Sequence, residues 1–127
     1  MTSDPVTLVA ALRNTLEDTE RDFSSMPFFV RPMVRRGFAS RTGLGLDEWQ
    51  RLASALVSEV KSDTAPTQVR ERHPRLRENL AQLAENYRTA PERASKGMGA
   101  LAGTLQRVQE TSRRREEAVR ALIAWLG

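Results

Sequence analysis

Arginine supplies nearly all the positive charge of this 127-residue sequence: of its 20 basic residues only Lys61 and Lys96 are lysines. A guanidinium presents a rigid fork of N–H donors that matches a phosphate or carboxylate two bonds at a time. Three groups stand out. Arg31, Arg35, Arg36 and Arg41 lie in a stretch, from Phe23 to Leu46, with no acidic residue at all. Arg70, Arg72, Arg75 and Arg77 flank His73, and Arg113, Arg114 and Arg115 run directly into Glu116 and Glu117. Arg35, Arg36, Arg41, Arg70, Arg72, Arg75 and Arg77 could together form a surface that grips a nucleic-acid backbone through its phosphates. The opposing reading is neutralisation within the chain, since Glu17, Asp18, Glu20 and Asp22 immediately precede the first group. A net charge of +4 does not decide between them, because dedicated nucleic-acid modules carry a stronger, one-sided excess.

Other chemistry is thinly supplied. With no cysteine, disulfides, thiolate catalysis, iron–sulfur ligation and thiolate zinc sites are excluded. His73 is the single histidine; it sits beside Pro74 with no carboxylate pair at helical spacing, so a solvated loop histidine is expected and no metal. No serine occupies a glycine-flanked elbow and no glycine-rich loop follows a strand. The expectation is a protein without a catalytic centre and without a cofactor.

The elements that must position these side chains are all helical. Apolar residues recur at helical spacing almost throughout, with no sustained period-two alternation. The fold class expected is all-α, an antiparallel bundle of four to five helices in a single domain covering residues 1–127. Asp4 and Pro5 form a cap and first-turn pair for a first helix over 5–23, with Val9, Leu12, Leu16 and Phe23 on one stripe. The second helix takes in residues 26–38 and stops near Gly43, where Gly43 and Gly45 can supply positive φ. Asp47 with Gln50 reads as a capping box for a third helix whose apolar face is Trp49, Leu52, Ala53, Leu56, Val57 and Val60. Val69, Leu76, Leu80, Leu83 and Tyr87 share a fourth stripe, broken at His73–Pro74 into two pieces.

A second capping box, Thr89 to Glu92, opens the last helix. Its seam, Ala94, Met98, Leu101, Leu105, Val108, Ser112, Arg115, Val119, Leu122 and Leu126, alternates four and three residues apart, the heptad spacing of a coiled coil. Unbroken, it would span roughly 50 Å at 1.5 Å per residue. Gly97, Gly99 and Gly103 weaken its first turns, and Ser112 and Arg115 put polar groups where a dry core would have none.

On a helical wheel started at Pro27, Phe29, Val30, Met33, Val34 and Phe38 cover about half the circumference, with Gly37 at the centre and Arg31, Arg35 and Arg36 opposite. So wide an arc predicts burial against two neighbours, one of them approaching closely over Gly37. Phe28 alone escapes the arc, on the side of Arg31 and Arg35. Pro32 is either a kink or the first helical residue, in which case residues 28–30 form an extended plug.

The run from Met26 to Gly43, Pro-Phe-Phe-Val-Arg followed by paired basic residues and then Phe-Ala-x-Arg-Thr-Gly, resembles the small helical segment at the C-terminus of one subunit of light-independent protochlorophyllide reductase. The resemblance extends over residues 26–60. The acidic residue that the family places before Phe-Ala is missing here, and its cluster-binding part has no counterpart in the sequence, so reductase activity is not implied. What it implies is a small helical cap docking on a partner protein or a flat tetrapyrrole through Phe28, Phe29, Val30 and Arg31.

Three functional expectations follow. The first is a helical-bundle protein that acts by binding another protein, or itself through the seam of the last helix, with Phe28, Phe29, Arg31, Arg35 and Arg36 as the partner surface. The second is the arginine-lined nucleic-acid surface, and the third the ligand-binding cap. With no basic leader followed by an apolar core, and no run of about 18 apolar residues, a cytoplasmic location without a membrane span is expected.

Overall fold

The computed structural model describes residues 4–98 and 102–127, apart from the side chains of residues 97, 98 and 102–104. It is all-α. Seven helices follow one another, and no strand occurs among the described residues: α1 (Pro5–Ser24), α2 (Arg31–Thr42), α3 (Leu46–Lys61), α4 (Pro66–Arg72), α5 (Leu76–Arg88), α6 (Ala90–Met98) and α7 (Ala102–Leu126).

The described segments exceed the expected four or five helices because the fourth pattern is broken and the last is described as two segments on either side of residues 99–101. His73, at φ −128° and ψ 76°, leaves helical geometry directly before Pro74, and α5 begins afresh at Leu76. Proline clashes with an α-conformed predecessor, which is why the break falls there. At the C-terminus, α6 and α7 flank residues 99–101, so Leu101 and the continuity of the 50 Å helix lie outside the described residues.

The apolar stripes pack as their spacing predicts. Val9, Leu12 and Leu16 of α1, Trp49, Ala53 and Leu56 of α3, Leu80 and Leu83 of α5, and Val119, Leu122 and Leu126 of α7 are all buried in one core. α1 packs against α3 and α7, α5 against α7 and α2, and the short α4 against α7. Burying each valine or leucine among them contributes about 1.5–3 kcal/mol.

Helix ends differ in detail from the sequence reading. Gly45, not Asp47, is the cap of α3, and its N–H donates to Glu48 Oε1 at 3.4 Å. Glycine has no side chain to close the reciprocal bond, so half the box is made. Gly45 itself has φ −66°; of these two glycines it is Gly43, at φ 84°, that uses the left-handed region. Thr89 does not open α6 as a box with Glu92. It ends α5, its hydroxyl donating to the Glu85 carbonyl at 3.0 Å. Gly43 also faces Gln82 Oε1 and Asn79 Oδ1, 2.9 and 3.1 Å from where a β-carbon would stand. Gly43→Ala therefore combines backbone strain with crowding and is expected to lower stability by about 1–2 kcal/mol, read as an unchanged-slope shift in a urea midpoint.

Ser112 and Arg115, the polar interruptions of the seam, face into the bundle. Arg115 Nη1 donates to Asp22 Oδ2 at 2.8 Å, with its guanidinium 6.0 Å from the Tyr87 ring centre, tying α7 to α1 and α5. Beneath it, the Thr19 hydroxyl donates to the Thr15 carbonyl at 2.8 Å and lies 2.7 Å from the Tyr87 hydroxyl. A hydroxyl has one proton, so Tyr87 must donate to Thr19. Burial pushes the Tyr87 phenol up from 10 to about 12.

In the unfolded chain that phenol ionises above about 10, whereas the native state keeps its proton to about 12. The native state thus binds more protons in this window, and stability falls as pH rises through it, by roughly 2–3 kcal/mol in full. Tyr87 is the only tyrosine, so Tyr87→Phe should remove this part of the alkaline slope, measured as urea midpoints from pH 9 to 12.

Candidate interaction surface

Residues 25–30 reverse the chain between α1 and α2. The Ser25 hydroxyl donates to the Asp22 carbonyl at 2.7 Å, and the Met26 amide to that of Phe23 at 3.2 Å. The Pro27 carbonyl accepts the Val30 amide at 3.0 Å, and Arg31 Nε reaches back to the Met26 carbonyl at 2.8 Å. Val30 is in the right-handed helical region and Pro32 lies in the first turn of α2, where its missing N–H costs nothing. This stretch is a turn, not an extended plug, and Pro32 does not kink the helix.

That turn overturns the predicted burial. Phe28 and Phe29 precede α2, so the wheel does not govern them, and they stand 78% and 73% exposed. Met33, four residues after Phe29, is 68% exposed beside them in sequence. Only the far edge of the predicted arc is inside: Phe38 is buried edge-on against Phe23, ring centres 5.6 Å apart, and Val30 and Val34 are half-buried. The three atoms nearest to where a β-carbon at Gly37 would stand all belong to the Arg41 guanidinium, the first at 2.9 Å, so the room there is taken by a side chain of the same helix. Phe28 and Phe29 meet edge to face, centres 5.9 Å apart and planes at 90°.

The arginines of the first group divide. Arg35 is an internal anchor: Nη1 and Nη2 donate to the two carboxylate oxygens of Glu20, each at 2.8 Å, fixing α2 to α1. These bonds hold the Glu20 carboxyl below its ordinary range. Arg31 is engaged through Nε with the Met26 carbonyl, and exposed Arg36 forms no ion pair among the described residues. Both lie close in sequence to the exposed Phe28, Phe29 and Met33.

The second group is largely paired within the chain. Arg70 Nη1 donates to the carbonyls of Leu126 and Gly127 at 2.7 and 3.0 Å, meeting the negative end of α7. Arg72 pairs with Glu59 at 3.4 Å and Arg75 with Glu78 at 3.8 Å, while Arg77 has no acidic partner among the described residues. His73 is not a free loop histidine, since its Nε2 lies 2.7 Å from Glu59 Oε2. Two adjoining open grooves bring Arg72 and Arg75 to one side with Arg35 by way of Arg51, which stands alone in the sequence and gives no signal there. Asp47 and Glu48 line the same grooves and offset their charge.

The seam of the last helix is taken up internally over the C-terminal half of α7. Ser112, Val119 and Leu122 are buried and Arg115 nearly so, whereas Leu105 and Val108 stay half-exposed. Among the described residues no group of three acidic or histidine side chains could hold a metal, and no helix is long and apolar enough to cross a membrane. No protein family, no curated protein and no solved structure matches this chain.

Proposed function

We propose that the protein is a binding module, and that Phe28, Phe29 and Met33, with Arg31 and Arg36 close in sequence, engage an amphipathic segment of another protein carrying apolar side chains and carboxylates. The observation that carries this is the exposure of two adjacent phenylalanines and a methionine in a bundle that buries its other phenylalanines. Covering a large apolar side chain is worth about 1.5–3 kcal/mol, and clustered apolar exposure of this kind is characteristic of binding surfaces. The surrounding stretch, without an acidic residue from Phe23 to Leu46, selects a partner of opposite charge. A symmetric pairing of two copies through this patch would set Arg31 and Arg36 against themselves, which disfavours it. Self-association through the last helix would draw on the half-exposed Ala94, Leu105 and Val108, since Ser112, Val119, Leu122 and Leu126 of its seam are buried within the chain.

Affinity purification from the native cell, in wild type and in Phe28→Ser/Phe29→Ser, tests this reading. A protein recovered with the first and lost from the second is expected; identical recovery would overturn it.

The edge-to-face rings also favour a second reading, because an exposed aromatic pair can stack on a flat ligand such as the tetrapyrrole suggested by the resemblance of residues 26–60. Titration of a porphyrin followed by absorbance tests it, with a band shift in wild type that the double serine variant lacks.

A further inference from the structure

At the other end of α2 two arginines converge on one oxygen. Arg41 Nε donates to Asn86 Oδ1 at 2.7 Å, and Arg93 Nη2 donates to the same oxygen at 3.1 Å and to the Asn86 carbonyl at 2.7 Å. Arg93 Nη1 is held by the Thr89 hydroxyl at 2.6 Å. Asn86 is buried, so this anchor is fixed, and the three residues come from α2, α5 and α6. Neither guanidinium pairs with a carboxylate among the described residues, and residues 1–3 and 97–104 contain no Asp or Glu.

Two like charges so placed repel each other. Burial lowers the pKa of both, and the charge of Arg41 lowers that of Arg93 further, with only Glu92 acting at a distance in the opposite sense. The Nη groups of Arg41 and Nε of Arg93 have no hydrogen-bond partner within the described chain; Arg41 is exposed to solvent and Arg93 half-buried. Arg41 can lie back along its own helix because Gly37 leaves room: a β-carbon there would stand 2.9 Å from Nη1.

We propose that Arg41 and Arg93, oriented by Asn86, form a binding site for a phosphate group. A phosphate dianion matches the two unneutralised charges, and its oxygens can accept from the free Nη groups of Arg41 and from Nε of Arg93 at once, which a single carboxylate would satisfy only in part. The site is independent of the apolar patch at the start of α2.

The test is thermal unfolding of the full chain with inorganic phosphate or phenyl phosphate, against sodium chloride at matched ionic strength. Wild type should gain about 3 °C or more once phosphate exceeds its Kd tenfold. Phosphate also stabilises proteins generally by exclusion from their surfaces, so Arg77→Gln, which removes an exposed arginine elsewhere, must keep the gain. Arg41→Gln and Arg93→Gln must each lose it, and Gly37→Ala, which displaces Arg41 without removing its charge, must reduce it. If both phosphate compounds act, the site takes a phosphoryl group on a carrier; if only inorganic phosphate acts, it takes the free ion. An equal rise in all variants, or no rise beyond that of chloride in wild type, would overturn the assignment. Should a glutamine variant fail to fold, phosphate-induced shifts of the Arg41 and Arg93 Nε–H resonances in wild type decide, and unmoved resonances count against the site.

Discussion

Replacing Phe28 and Phe29 together by serine is expected to weaken binding of the partner protein by about 100-fold or more, while changing the stability of the isolated bundle by no more than about 0.5 kcal/mol. The asymmetry follows from where the rings are. Both are largely exposed and touch mainly each other, so their removal opens no cavity. In a complex the same rings would be the apolar anchors, and losing two anchors of this kind removes about 3 kcal/mol or more. Arg36→Glu should act differently, slowing association and flattening its salt dependence, because a rim charge steers encounter more than it holds the complex. Titration of the purified partner by calorimetry at two salt concentrations separates the effects, with urea unfolding as the stability control.

Trp49→Ala carries the largest expected loss of stability, about 3–5 kcal/mol. Trp49 is fully buried in α3, and its Nε1 donates at 2.9 Å to the Thr42 hydroxyl, itself within 3.0 Å of the Phe38 and Leu44 carbonyls. One side chain therefore fills the space between α3 and its neighbours and braces the turn that ends α2. A domain of this size has about 5–15 kcal/mol in total, so the variant should sit near its unfolding threshold at 37 °C. Trp49→Phe keeps most of the volume but not the donor, and should recover more than half of the loss. Far-ultraviolet circular dichroism in urea measures both, since Trp125 complicates a fluorescence readout. A loss under about 1 kcal/mol for the alanine variant would contradict this packing.

The bundle is legible in the sequence wherever one helix presents one apolar stripe to the core. α1, α3, α5 and the C-terminal half of α7 bury the residues their spacing selects, and the break at His73–Pro74 follows from proline sterics alone. The candidate surface is half legible. Phe28 falls outside the predicted arc, but a wheel begun at Pro27 places Phe29 in the interior because it assumes helix through residues 27–30, where the chain makes a turn, and Met33, which does lie in α2, is left exposed at the edge of the arc. Turn hydrogen bonds such as that from Arg31 to Met26 leave no periodic trace.

The arginines show the same boundary between local and non-local information. Neutralisation of Arg35 by the acidic end of α1 can be anticipated, since Glu20 precedes it by only 15 residues. The meeting of Arg41 with Asn86, 45 residues away, cannot, and neither can Arg93's part in it. Gly37 reads on the wheel as a place for another backbone, yet it makes space for a side chain of its own helix.

Photo-crosslinking measures most directly whether the exposed aromatic face binds a protein. With a benzophenone amino acid at position 28, irradiation in the native cell should yield one dominant adduct, suppressed by Arg36→Glu, and none from the same probe at Ser54, exposed on α3. The same adducts from both positions, or no adduct from position 28, would contradict it.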